Sequence, residues 1–212
     1  MTVVVAIDGP AGSGKGTIAK RISSSYNFPH LDSGILYRSV AFLCHIKGLK
    51  NLEESKVLEL ANSLNLDDID LNKIRTKEID EISSKISSLV SVRESLKAFQ
   101  LNFKKKNANN KGIVIDGRDI TTVIFPDAEV KFYITASLEE RANRRFKEFL
   151  GNNNETEKKL IIKELQKRDQ RDMERSTAPL KVAKDAIVID TSDLTIDKVM
   201  DKVCFEIDKV LK

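Results

Sequence analysis

The residues most ready for chemistry stand near the start of the chain, where "GPAGSGKGT", Gly9 to Thr17, sets four glycines around one lysine. Gly9, Gly12, Gly14 and Gly16 let the backbone curl so that its N–H groups converge on an anion, and Lys15 adds a mobile positive charge. Pro10, Ala11 and Ser13 complete the loop. The apolar "VVVA" before it reads as a strand and "TIAKRI" after it as a helix, so the loop lies at a helix N-terminus, where N–H groups and the helix dipole favour phosphate. A glycine-rich turn without a ligand would explain the glycines alone, but it leaves the lysine and the strand–loop–helix context unexplained. The spacing follows G-x-x-x-x-G-K-[ST] except that Gly16 occupies the hydroxyl position, so contact with magnesium falls to Thr17.

Three later stretches carry further candidates. "LDSGILYR" crowds Asp32, Ser33, Tyr37 and Arg38 into about one turn, and the forked donors of Arg38 suit a phosphate. "GIVIDGRDITTVIFP" ends a strand with Asp116, followed by Gly117, Arg118 and Asp119. A carboxylate at such a strand end beside a phosphate loop is where a magnesium-ordering group belongs, and Asp116 takes that role. Asp119 could equally serve as a salt-bridge partner or turn cap. "KRDQRDMERSTAPL" spaces Arg168, Arg171, Asp172 and Arg175 by three and four, which places Arg168, Asp172 and Arg175 on one helical face. A solvated charged face is the plain reading of that run; a lid closing over phosphates is the functional one. The loop alone implies a nucleoside triphosphate and leaves hydrolases, motors and kinases open.

The elements that position these groups are legible from periodicity. "TVVVAID", "GIVID", "EVKFYIT" and "DAIVID" are near-continuous apolar runs, as expected of parallel strands covered on both faces, and long helical stretches separate them. The expected class is therefore α/β, one domain over 1–212, with a parallel β-sheet flanked by helices. Two excursions leave this core: a polar, helical segment over 34–110, and an Arg- and Lys-rich segment over 138–184 with a turn at "GNNNETEKK". Near the C-terminus Ile196, Val199, Met200, Val203, Ile207 and Val210 recur at helical steps, with start signals at Ser192 to Thr195, and predict an amphipathic helix on the sheet.

The 212 residues carry a net charge of +4, with 41% hydrophobic and 32% charged residues, an ordinary soluble composition. Acidic residues are interspersed with the basic ones, which argues against nucleic acid as a partner. There is no apolar window of membrane-spanning length and no leader pattern, so a cytoplasmic protein without membrane attachment is expected. Cys44 and Cys204 form no metal-like cluster with His30 and His45 and read as buried free thiols.

Taken in order, "GPAGSGKGT", "LDSGILYR", "IRTKEI", "SVRE", "DGRDITTVIFPDA", "ASLEERANRR" and "RDQRDMERSTAPL" resemble the bacterial cytidylate kinase family of nucleoside monophosphate kinases over nearly the whole chain. The resemblance implies a P-loop kinase core, a helical monophosphate-binding region and a small lid. It implies transfer of the γ-phosphoryl group of ATP, held as MgATP, to CMP or dCMP. Gly9 to Thr17 would cradle ATP, with Arg141, Arg145 and Arg171 as lid arginines. Arg38, Arg118 and Arg175 match the family's acceptor-phosphate ligands, and Arg168 and Asp172 its ribose ligands. Ser84, Arg93 and Asp119 match its base readers, with Ser33 also at the acceptor. Lys15, Arg118, Arg171 and Arg175 would serve the transfer itself, while Thr17 and Asp116 would meet Mg2+ indirectly. Two departures stand out. Thr121 replaces the family's usual glycine, and the segment from Leu64 to Arg75 has no room for the small β-stranded insert of many bacterial members. A monophosphate kinase for UMP or AMP, a regulatory nucleotide-binding protein without transfer, and a plain NTPase are the competing readings. No exposed apolar stripe is evident, so a monomer is expected.

Overall fold

The computed structural model describes residues 2–149 and 155–212. The chain alternates strands and helices: β1 (Val3–Asp8), α1 (Lys15–Tyr26), β2 (His30–Asp32), α2 (Ser33–Ile46), α3 (Glu54–Asn62), α4 (Lys77–Ile86), α5 (Val90–Lys106), β3 (Gly112–Gly117), β4 (Val130–Thr135), α6 (Leu138–Phe149), α7 (Glu155–Glu174), β5 (Ile187–Asp190) and α8 (Ile196–Leu211). The sheet has the order β2-β3-β1-β4-β5, and β1 pairs in parallel with both β3 and β4. The strand order reverses at β1. In open parallel sheets ligands bind at the C-terminal strand ends of such a switch point, and the glycine loop follows directly from β1.

All four sequence-predicted strands form, and His30–Asp32 adds the short edge strand β2. The apolar runs of β1, β3 and β4 are buried almost throughout. β5 departs from the expected two-sided burial: only Ile189 is covered, and Val188 is 55% exposed. Its place at the sheet edge explains this, because an edge strand has a neighbour on one side only. α8 forms as predicted, capped by the Thr195 hydroxyl, which accepts from the Lys198 N–H. Val199, Met200, Val203 and Ile207 are buried, whereas Ile196 and Val210 are exposed at its two ends, beyond the sheet residues it packs on. Cys44 is buried and Cys204 only partly so.

The chain divides into two compact units, 1–30 with 107–212, and 31–106. The first holds the sheet, with a core of Val5, Ile7, Ile18, Ile22, Phe132, Ile134, Val199 and Val203. Within it α6 and α7 form a smaller cluster in which Ala142, Ile161 and Leu165 close on Ala11 of the glycine loop. The second unit is helical and has its own core, including Leu36, Val40, Val57, Ile79, Ile86 and Leu96. Between Leu64 and Arg75 it carries only a short turn at Leu66–Asp68, so no strand stands where the inserted β-structure would. Residues 151–154 of the expected turn lie outside those described, and Glu155 to Lys159 belong to α7. No described helix is long and apolar enough to cross a membrane.

Candidate functional site

The glycine loop is held from behind. A Cβ on Gly9 would collide with the carbonyl oxygen of Ile134 in β4, so only glycine lets the chain leave β1 at this angle. Gly14 sits at φ +88 as the residue before α1, a conformation that side chains disfavour. Two carbonyls of the loop are turned away from its mouth. Arg141 Nη1 donates to Ala11 O at 3.1 Å, while Arg144 Nη1 and Thr191 Oγ1 donate to Ser13 O at 3.2 and 3.1 Å. Because a trans peptide sets its C=O and N–H in opposite directions, the N–H groups of Gly12 and Gly14 point the other way, into the curl of the loop. That is the arrangement an anion requires. The Ser13 hydroxyl is buried without a hydrogen-bond partner, and Lys15 Nζ lies 3.4 Å from Pro10 O.

Arg141 therefore has a different setting from the lid position that the resemblance implied. It is buried, donates to Ala136 O and Ala11 O, and pairs with Asp169 at 2.7 Å. Arg144, which the resemblance did not single out, adds bonds to Thr191 Oγ1 and Thr191 O. Arg145 lies on the same helix and is partly exposed, and Arg171 is exposed with Nε donating to Lys167 O.

Next to this loop in the sheet, Asp116 is the penultimate residue of β3, and its Oδ1 lies 2.7 Å from His30 Nε2. Its other oxygen lies 3.7 Å from where a Cβ on Gly16 would stand, so the missing hydroxyl position opens directly onto this carboxylate. Thr17 is exposed one residue further on. Among the described residues no group of three or more His, Cys, Asp or Glu side chains could hold a metal on its own. One carboxylate beside a phosphate loop is nevertheless the donor set Mg2+ takes when nucleotide phosphates and water supply the rest.

After β3 come the cationic groups. Arg118 Nε donates to Asp172 Oδ2 at 3.0 Å, and Arg175 Nη2 lies 3.8 Å from Asp119 Oδ1. Arg175 Nε donates to the carbonyl of Ala178, a residue at φ +50. Burial pushes the Asp172 carboxyl upward, but Arg118, Arg168 and Arg175 overcome it and hold the group below its ordinary range. Thus Arg168, Asp172 and Arg175 converge on the face their spacing gives, and the fold adds Arg118, with Asp119 beside Arg175.

The loop after β3 also rests on a carboxylate that sequence reasoning missed. Asp8, the last residue of β1, is fully buried and accepts from Ile120 N–H at 2.9 Å, Thr121 N–H at 2.7 Å and Thr121 Oγ1 at 2.6 Å. Its pKa is pushed up to about 6, chiefly by burial, despite these donors.

In the helical unit Asp32 caps α2 by accepting from Gly34 N–H, and Ser33 is buried beside it. Arg38 Nε donates to Asp80 Oδ1 at 2.8 Å. Arg93, buried, donates to Ser87 O and lies over the Tyr37 ring at 5.8 Å. The Ser84 hydroxyl is buried and has no hydrogen-bond partner. A buried hydroxyl in that state is costly unless a ligand completes it.

A strand, phosphate loop and helix at a parallel-sheet switch point, with partly buried arginines around a buried aspartate beside them, define a P-loop protein equipped for phosphate chemistry. Solved structures agree on the fold: an uncharacterized protein from Eubacterium ventriosum aligns with a TM-score of 0.56 at 17% identity, covering 98% of this chain and 99% of that one. A sugar kinase from Janibacter sp. aligns at 0.51 and 13% identity, covering 98% and 95%.

Sequence comparison gives the family. The cytidylate kinase profile matches residues 5–209. A cytidylate kinase of Bartonella bacilliformis is 43% identical over 99% of this chain and 96% of its own length, and one of Fusobacterium nucleatum is 42% identical over 98% of each. The chain belongs to the cytidylate kinase family.

Proposed function

We propose that the protein transfers the γ-phosphoryl group of ATP to CMP or dCMP, giving ADP and CDP or dCDP. The observation that supports this most is the cluster of partly buried Arg118, Arg168 and Arg175 around the buried Asp172, adjoining Asp119, in a chain of this family. A plain NTPase has no need of base-reading groups, and a regulatory binder has no use for an acceptor site.

The chemistry asks little of a general base. The acceptor is a monophosphate with a second pKa of about 6, so its attacking oxygen already carries charge near neutral pH. The protein's task is to bring two anions together and exclude water. In this reading the N–H groups of the glycine loop and Lys15 hold the β and γ phosphates. Arg38, Arg118 and Arg175 hold the acceptor phosphate, and Arg168 and Asp172 hold the ribose. Arg171 and Arg145 approach the transferring group from α7 and α6, whereas Arg141 acts by holding the loop. Mg2+, bound with ATP and ordered by Asp116 and Thr17, would offset the negative charge of the β and γ phosphates.

Base choice follows from hydrogen-bond polarity. Cytosine offers an amino donor at position four and acceptors at N3 and O2; Asp119 accepts from the first while Ser84 and Arg93 donate to the others. Uracil would set its O4 against the Asp119 carboxylate and leave buried groups unpaired, a difference of about 1–3 kcal/mol per group. The reading extends to a single kinase domain, monomeric and cytoplasmic, with small-molecule partners only and neither nucleic acid nor membrane.

Phosphorus NMR of the protein with MgATP and CMP tests the transfer. The expected spectrum gains ADP and CDP in equal amounts as ATP and CMP decline. Release of inorganic phosphate without CDP would contradict it.

A further inference from the structure

Thr121 departs from the glycine of the family pattern, and its surroundings show what the extra atoms do. Its hydroxyl donates to Asp8 Oδ2 at 2.6 Å while its own N–H donates to the same oxygen at 2.7 Å, and Ile120 N–H fills Oδ1 at 2.9 Å. Thr121 is itself buried. Asp8 stands in register with Gly117 of β3 and Tyr133 of β4 and directly precedes Gly9. One carboxylate thus ties the root of the phosphate loop to the turn Ile120–Ile124 that follows Arg118 and Asp119. On the other side of that turn, the N–H groups of Val123 and Ile124 both donate to Asp119 O. Asp119 is therefore bracketed: its carbonyl is held from ahead, and the two residues after it are held by Asp8.

We propose that Thr121 is a positioning residue, whose hydroxyl locks the Asp119-bearing turn onto Asp8 and so sharpens selection of the base. With glycine at 121 the two N–H bonds would remain and the third would be lost. The inference rests on Asp119 reading the base, as set out above, but its structural half stands apart from that reading.

The test compares wild type with Thr121→Val, which keeps the branched shape and loses the hydroxyl, and Thr121→Ser, which keeps the hydroxyl. Two readouts are taken: amide hydrogen exchange at positions 120 and 121 without substrate, and the ratio of kcat/KM for CMP over UMP. Thr121→Val is expected to speed exchange at these two amides about tenfold relative to the β1 amides, and to lower the CMP/UMP ratio about tenfold, mainly through KM for CMP. Thr121→Ser should restore both. Unchanged exchange in Thr121→Val overturns the lock, and faster exchange with an unchanged ratio overturns the positioning role even if the melting temperature falls. A wild type without preference for CMP would instead refute the base-reading assignment, while the exchange data still decide the lock.

Discussion

Asp172 is the anion at the centre of the acceptor cluster, and replacing it by asparagine removes its charge while keeping its shape. The Asp172 side chain is 5% exposed, that of its partner Arg118 is 16% exposed, and the two are joined at 3.0 Å. Arg168 and Arg175 act on the same carboxylate. Removing one partner of a buried pair costs about 3–5 kcal/mol, because the remaining charge is left uncompensated. The partial exposure of Arg118 favours the lower end, about 3 kcal/mol. For a chain of this size each kcal/mol moves the melting temperature by about 2–4 °C, so Asp172→Asn should melt about 6–12 °C lower near neutral pH.

The pH dependence gives a second signature. A carboxyl whose folded pKa is depressed contributes stability that is fully present above its unfolded value, about 3.8 here, and is lost as pH falls through the folded value. The gap between wild type and variant should therefore stay constant from about pH 6 to 8 and narrow below about pH 4. Thermal melts by circular dichroism across this range measure both quantities. A shift under about 2 °C at pH 7, with parallel profiles down to pH 3, would refute the claim that the buried Asp172 neutralises the arginines around it.

Two further outcomes follow from other groups. Asp8 should titrate with a midpoint near 6, read from its carboxyl carbon by NMR; since its folded pKa is raised, the stability it confers is present below about 3.8 and lost as pH rises through about 6. The shift corresponds to about 3 kcal/mol, and a midpoint at or below 4 would show that its three donors outweigh burial. Arg144→Met should weaken ATP binding about tenfold by releasing the Ser13 carbonyl, with affinity for CMP unchanged in calorimetric titrations; equal losses for both nucleotides would assign Arg144 to general stability instead.

The sheet was readable because buried parallel strands need unbroken apolar runs, and the three interior strands have them. β5 was readable as a strand but not as an exposed edge, since position in the sheet is a tertiary property that "DAIVID" does not encode. The convergence of Arg168, Asp172 and Arg175 followed from helical spacing alone. On α6 the resemblance alone named Arg141 and Arg145 as lid arginines, and nothing in "ASLEERANRR" encodes which face of the helix meets the glycine loop, where Arg141 and Arg144 are held. Asp8 was hidden because its donors lie 112 and 113 residues away. Thr121 was visible as a departure from a pattern, yet only the fold supplies the carboxylate that explains it.

The central claim is tested most directly by ADP production from MgATP with CMP, dCMP, UMP and AMP offered singly, by the wild type and by Lys15→Ala. The account predicts strong turnover on CMP and dCMP, weak turnover on UMP and AMP, and loss of at least about a hundredfold in the variant. Preference for UMP or AMP would contradict the roles of Ser84, Arg93 and Asp119, and no acceptor-dependent turnover at all would contradict the transfer itself.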